Sequence, residues 1–139
     1  MSGLQEIAAI VGIAELSIRS ISSLYEFVSS LKHVPKELRR LQSEISTLVQ
    51  SFSALDYLDS ADSETKAIVQ RVGLPAAIAS CGGACQALQQ DLLKWTKAGQ
   101  QSLTSRIQVR LHKKAIESLL AHIDFAKQTT ILCVVITQL

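Results

Sequence analysis

Three cysteines and three histidines are the residues of this chain with the most chemistry to offer. Cys81 and Cys85 stand one helical turn apart, while Cys133, His33, His112 and His122 lie elsewhere. A structural zinc site needs four such ligands converging in tetrahedral geometry. The paired cysteines instead fall on an apolar stripe, where small buried thiols are common, so all three cysteines read as core residues and no metal is expected. Asp56, Asp59, Asp62 and Glu64 superficially resemble a calcium loop, but the twelve-residue spacing and its central glycine are missing. No glycine-rich phosphate loop follows a strand, and neither HExxH nor GxSxG occurs. No acid–base pair or activated nucleophile is visible. The sequence offers no catalytic, cofactor-binding or metal-binding residue, and the chain is expected not to be an enzyme.

What remains is charge and apolar surface. Between Leu92 and Ile116 lie Lys94, Lys97, Arg106, Arg110, Lys113 and Lys114 with no acidic residue among them, while the rest of the chain is net −4. Lys32, Lys36, Arg39 and Arg40 form a second basic cluster, and the stretch from Asp56 to Glu64 is purely acidic. Such polarity describes either solvated helix ends or a face that meets something anionic. Nucleic acid is not expected as that partner, because the basic segment lacks interleaved aromatics and any recognisable binding module. A membrane surface asks for less: clustered Lys and Arg beside an apolar helix that can be exposed.

The elements that would position these groups are helices. Hydrophobic residues make up 47% of the 139 residues but aromatics only 4%, so the core is aliphatic. Two prolines and six glycines leave too little turn chemistry for an all-β fold. The length suits one domain over 1–139. An odd number of cysteines suggests reduced thiols and an intracellular protein. No basic region precedes the N-terminal apolar run, which argues against a signal peptide. No uncharged apolar run reaches the ~18–20 residues that span a bilayer, and the chain is expected to be soluble as made.

Leu4, Ile7, Val11, Ala14, Ile18, Ile21, Tyr25 and Val28 alternate by three and four, which puts them on one face of a helix from about Ser2 to Leu31. In its first half, IAAIVGIA from Ile7 to Ala14, most of the remaining circumference is apolar as well. Pro35 ends that helix and suits the first turn of the next. The stripe Leu38, Leu41, Ile45, Leu48, Phe52 and Leu55 carries a second, antiparallel helix to Tyr57 or Leu58. Asp62 or Ser63 caps a short helix that Gly73 stops. Leu74, Ile78, Cys81, Cys85, Leu88, Leu92 and Trp95 mark a third long helix. Gly82-Gly83 in its middle implies either close packing against a neighbour or a kink, at about 1 kcal/mol per glycine against alanine.

A last helical region runs from about Leu103, with Ile107, Leu111, Ala115, Ile116, Leu119, Leu120, Ile123 and Ala126 as its apolar face. A break is possible between Arg110 and Lys113. From Gln128 the charges stop. TTILCVVIT is rich in β-branched residues, but a lone strand in a helical bundle would have no partner, so it is assigned to helix. The apolar ending reads as a domain cut from a longer protein. The expected fold is all-α: an antiparallel bundle of four main helices plus a short extra one.

The opening SGLQEIAAIVGIAELSIRSISSLYEFVSSLKHVPKELRRLQSEISTLVQSF, with its IAEL and VPKELRRL junctions, resembles the HeLo-like domains of fungal STAND immune receptors and related cell-death proteins. LPAAIASCGGACQALQQDLLKWTKAG and SRIQVRLHKKAIESLLAHIDFAKQTTILCVVITQL fit the rest of that domain in order and length. The resemblance implies a cytoplasmic, NLR-like module of fungal innate immunity and heterokaryon incompatibility. It would be activated by homo-oligomerisation under an attached receptor or amyloid-signalling module, relocate to the plasma membrane and permeabilise it in programmed cell death. Leu4, Ile7, Ile10, Val11, Ile13 and Glu15 are then candidates for membrane insertion. Lys32, Lys36, Arg39, Arg40, Arg106, Arg110, Lys113 and Lys114 are candidates for binding anionic lipid. The alternative is a non-lytic signalling and oligomerisation module at the N-terminus of a STAND receptor, in which the apolar first helix is simply a core helix.

Overall fold

The computed structural model describes residues 15–31, 34–55, 62–96 and 113–138, with backbone only for Glu15, Trp95 and Thr96. Five helices carry them: α1 (Glu15–Ser30), α2 (Lys36–Ser51), α3 (Ser63–Val72), α4 (Leu74–Thr96) and α5 (Lys113–Thr137). The described residues are 94% helical with no strand, an all-α bundle. The TTILCVVIT run is helical to Thr137. The first half of the expected first helix, and the proposed break between Arg110 and Lys113, lie almost entirely outside the described residues.

The apolar spacing explains the packing. All six residues of the α2 stripe are buried, as are Leu74, Ile78, Cys81, Cys85, Leu88 and Leu92 of α4. On α1, Ile18, Ile21 and Val28 are buried, but Leu24 is fully buried where Tyr25 is only partly so. The reason is that α1 packs against both α4 and α2, which widens its buried face beyond a two-position seam. α5 lies against α4 and α2 and also touches α3. Of its expected face, Ile116, Leu119, Ile123 and Ala126 are buried, Leu120 is partly buried and Ala115 is exposed. Thr129, Thr130 and Cys133 continue the buried side toward the C-terminus. Lys127 of α5 reaches Glu44 of α2 at 2.6 Å, a partly buried ion pair that ties the two helices together.

Helix ends follow local chemistry. Pro35 is the N-cap of α2, one residue before the expected first turn, with φ −60° and ψ 154°. Its carbonyl accepts from the Leu38 and Arg39 amides, which a proline ring can arrange without a side-chain cap. α2 stops at Ser51, short of Tyr57, and tightens into a 3₁₀ turn over residues 52–55. There the Ser51 and Ser53 hydroxyls donate to the Leu48 and Gln50 carbonyls, competing with the helical ladder. Asp62 caps α3, accepting from the Thr65 amide at 2.7 Å. Gly73, at φ 92°, ends α3 in the left-handed region and leaves a 48° bend into α4.

The glycine pair of α4 is resolved by its surroundings. A Cβ built on Gly82 would stand 2.7 Å from the Ser17 Cα and 2.8 Å from the Ser17 carbonyl oxygen; one built on Gly83 meets nothing within 4 Å. Close packing is therefore the reason for Gly82, and the helix runs unbroken through both positions. Because the obstacle to a larger residue is backbone, α1 would have to move as a unit. Gly82→Ala is expected to destabilise the fold by about 1–3 kcal/mol through overpacking, whereas Gly83→Ala is expected to stabilise it by up to ~1 kcal/mol through helix propensity. Urea unfolding of the two variants checks the opposite signs.

The Asp62 cap supplies a pH test. Bonds from Thr65, first its side chain and then its amide, hold the Asp62 carboxyl below the usual carboxylate range. A depressed folded-state value means that its contribution is complete above the unfolded value and is lost as pH falls through the folded one. In thermal melts, Asp62→Ala should lower Tm at neutral pH and show a shallower decline below about pH 4 than the wild type. Asp62→Asn, an equally good cap, should retain the neutral-pH Tm and lose only the titration.

Candidate functional site

The cysteines are the first candidates, and the packing removes them from solvent. Cys81, Cys85 and Cys133 are each 0% exposed, and all are free thiols. Cys81 and Cys85 share a hydrogen bond across one turn of α4; together with burial it pushes the Cys85 thiol far above the usual range. Burial alone raises the Cys133 thiol. A thiol so placed neither ionises nor meets a reagent readily. His122, partly buried on α5, is bonded through Nδ1 to the Ser118 carbonyl oxygen at 2.8 Å. Among the described residues no three His, Cys, Asp or Glu side chains converge to hold a metal ion. With a disulfide-exchange reagent at mild alkaline pH, the thiols are expected to react only at the rate of global unfolding. A single fast thiol in the folded protein would instead reveal an accessible one.

The basic candidates are better placed. Lys36, Arg39 and Arg40 are all exposed, and their i, i+3, i+4 spacing sets them on one face of the first turn and a half of α2. Glu37 in the same turn offsets part of their unfavourable placement at the positive helix end. Lys113 and Lys114 are exposed at the start of α5. Lys113 lies 3.8 Å from Glu117, an exposed pair worth little to stability. Lys32, Arg106 and Arg110 lie outside the described residues. So do the insertion candidates Leu4, Ile7, Ile10, Val11 and Ile13, while Glu15 is the first residue of α1.

The described half of the first helix is sunk in the core, with Leu16 its large exposed apolar residue, 64% accessible. Leu16 stands at a shallow groove of about 300 Å³ on the α1–α4 seam, shared with Arg19, Ser23, Gln86, Gln90 and Leu93. Its open, mixed lining gives no set of convergent polar groups around an apolar pocket such as a small-molecule site presents.

One surface was not anticipated from spacing. On the second half of α5, Phe125 is 61% exposed, Ile131 58%, Leu132 49%, Val135 52% and Ile136 38%. Phe125, Leu132 and Ile136 follow one another at heptad-like intervals along the outer side, opposite Ile123, Ala126, Thr130 and Cys133. The available signal was the end of charge at Gln128, after which the helix is apolar around most of its circumference. Although its uncharged run is short of a span, α5 is 25 residues long and contains an 18-residue window of mean hydropathy 1.5 with at most two charges, a third of it buried. By length and composition it could cross a membrane, a test that core helices of globular proteins also pass.

Comparison with known proteins adds a family. A family model described as "Pigment biosynthesis cluster protein PigL N-terminal" matches residues 3–137. No curated protein and no solved structure matches the chain significantly. Since the match covers nearly the whole sequence, the chain belongs to the PigL N-terminal family.

Proposed function

We propose that this member of the PigL N-terminal family is a HeLo-like cell-death execution domain, a non-enzymatic bundle that oligomerises and then acts on anionic membranes. The description of the family refers to pigment biosynthesis clusters and names no reaction or ligand. The observation that carries the reading is a division of the surface: an exposed cationic face at the start of α2 and an exposed, uncharged apolar face at the end of α5. A bilayer interface is the partner that attracts both kinds of group, cations to its headgroups and apolar side chains to its acyl boundary.

In this reading the resting protein is cytoplasmic, with the Ile18–Val28 face held against α4 and α2. Self-association under an attached receptor or amyloid-signalling module brings many copies of the cationic face together, which raises their avidity for plasma-membrane lipid. The first helix then supplies Ile7, Ile10, Val11 and Ile13 to the acyl boundary. Glu15, a charge flanked by apolar residues, requires pairing, protonation or a wet lumen there. The burial of Ile18, Ile21, Leu24 and Val28 favours the second reading, a non-lytic oligomerisation module whose first helix stays in the core.

Leakage of dye from anionic liposomes separates the two. The folded wild-type oligomer is expected to bind and leak, and charge reversal at Lys36, Arg39 and Arg40, or at Lys113 and Lys114, should weaken binding in a salt-dependent manner. Ile10→Glu should leave binding largely intact and abolish leakage. Oligomers that leave liposomes unbound and intact would establish the non-lytic module.

A further inference from the structure

The outer face of α5 calls for an occupant, because five large apolar side chains within twelve residues are exposed on the folded bundle. We infer that this face is a lipid-docking surface of the folded domain, on which Phe125, Ile131, Leu132, Val135 and Ile136 enter the acyl boundary of one leaflet without any opening of the bundle. The inference rests on the membrane reading above and adds to it a second contact, separate from the first helix and available before activation.

Three observations select lipid over a second copy of the chain. The first is area. Five side chains, each between about a third and two-thirds exposed, make a patch of only a few hundred Å². One partner of a standard stable interface contributes about 800 Å². The second is the lack of polar groups for register. Protein interfaces carry roughly one hydrogen bond per 100–200 Å², mostly at a polar rim. Here the groups that could form a rim are bonded within the helix. The exposed Gln128 amide donates to Asp124 at 2.9 Å, and the half-buried Thr137 hydroxyl donates to the Cys133 carbonyl at 2.6 Å. A lipid surface makes that same demand, that polar groups be satisfied internally.

The third is the axial arrangement of α5. Lys113, Lys114, Glu117, Asp124 and Lys127 all fall in its first fifteen residues, and none of the last ten is charged. From Phe125 to Ile136 the helix rises about 17 Å. Docked side-on by an intact bundle, that length lies along the membrane plane with its side chains at the headgroup–acyl boundary, while the lysines of the first turn stay beyond the apolar stretch, at headgroup level.

The test is co-sedimentation of the full chain with vesicles of phosphatidylcholine alone and of phosphatidylcholine with phosphatidylserine, alongside light-scattering mass and thermal melts. Leu132→Ser/Ile136→Ser removes apolar area without adding charge, and Leu132→Glu/Ile136→Glu opposes insertion outright. Ala76→Glu/Ala87→Glu, at exposed positions of α4, adds the same two charges elsewhere. The expected result is a tenfold or greater loss of vesicle binding for the Glu pair, a smaller loss for the Ser pair on both vesicle types, and unchanged mass and Tm. If the wild type binds vesicles and both α5 variants bind equally well, the face is not the lipid contact and the inference is overturned while the membrane function stands. If the resting wild type binds no vesicle but its oligomer does, this inference is overturned and the membrane function stands; if neither binds, both fall. A fall in mass with vesicle binding unchanged would assign the face to a second copy. A fall in Tm with vesicle binding unchanged would assign it to another segment of the chain.

Discussion

The approach of α4 to α1 at Gly82 is the constraint on which the rest of the bundle depends. Two helix backbones can come this close only where one of them presents no side chain, and opposite Ser17 there is no room for even one carbon on Gly82. Ser20, one turn on, is buried with its hydroxyl bonded to the Leu16 carbonyl, and Cys81 and Cys85 are buried on either side of the glycine pair of α4. With α1 drawn in, α4 becomes the central helix, in contact with α1, α3 and α5. The cysteines acquire a plain structural meaning in that setting. They are small core residues, and their thiols find each other across one turn.

A core so aliphatic leaves few places for polar atoms, and the chain deals with them locally. Buried and half-buried hydroxyls bond to carbonyls three or four residues earlier in the same helix. Among the described residues no buried side-chain nitrogen or oxygen lacks a partner. The Lys127–Glu44 pair is a long-range contact, set where α5 and α2 meet and where both side chains keep some contact with water. Its value to the fold lies in specifying how two apolar faces register, since dispersion and burial alone set no direction.

The outward surfaces differ accordingly. α2 turns a row of cations to solvent, and α5 turns an uncharged apolar row to it. Neither is needed for folding, because both lie opposite the stripes that are. Residues in excess of what a core requires are where binding is sought, and among the described residues most of that excess lies at one end of α5.

Much of the architecture was legible in the residues themselves. Every residue from Leu38 to Leu55 and from Leu74 to Leu92 that the spacing put on a stripe is buried, because a 3.6-residue period leaves little choice about which side chains share a face. Asp62 and Gly73 marked their helix ends because capping and left-handed geometry are local. The limits of that reasoning are equally physical. Periodicity could not choose Leu24 over Tyr25, since the breadth of a buried face depends on how many neighbours cover it. It could not end α2 at Ser51, where the Ser51 and Ser53 hydroxyls compete for the carbonyls of the ladder. It could not say whether Gly82-Gly83 meant a kink or a contact, because that depended on a serine sixty-five positions away. Nor could it tell which side of the uncharged end of α5 would be covered. A sequence determines which residues stand together on a helix; what stands opposite them is decided only when distant segments pack.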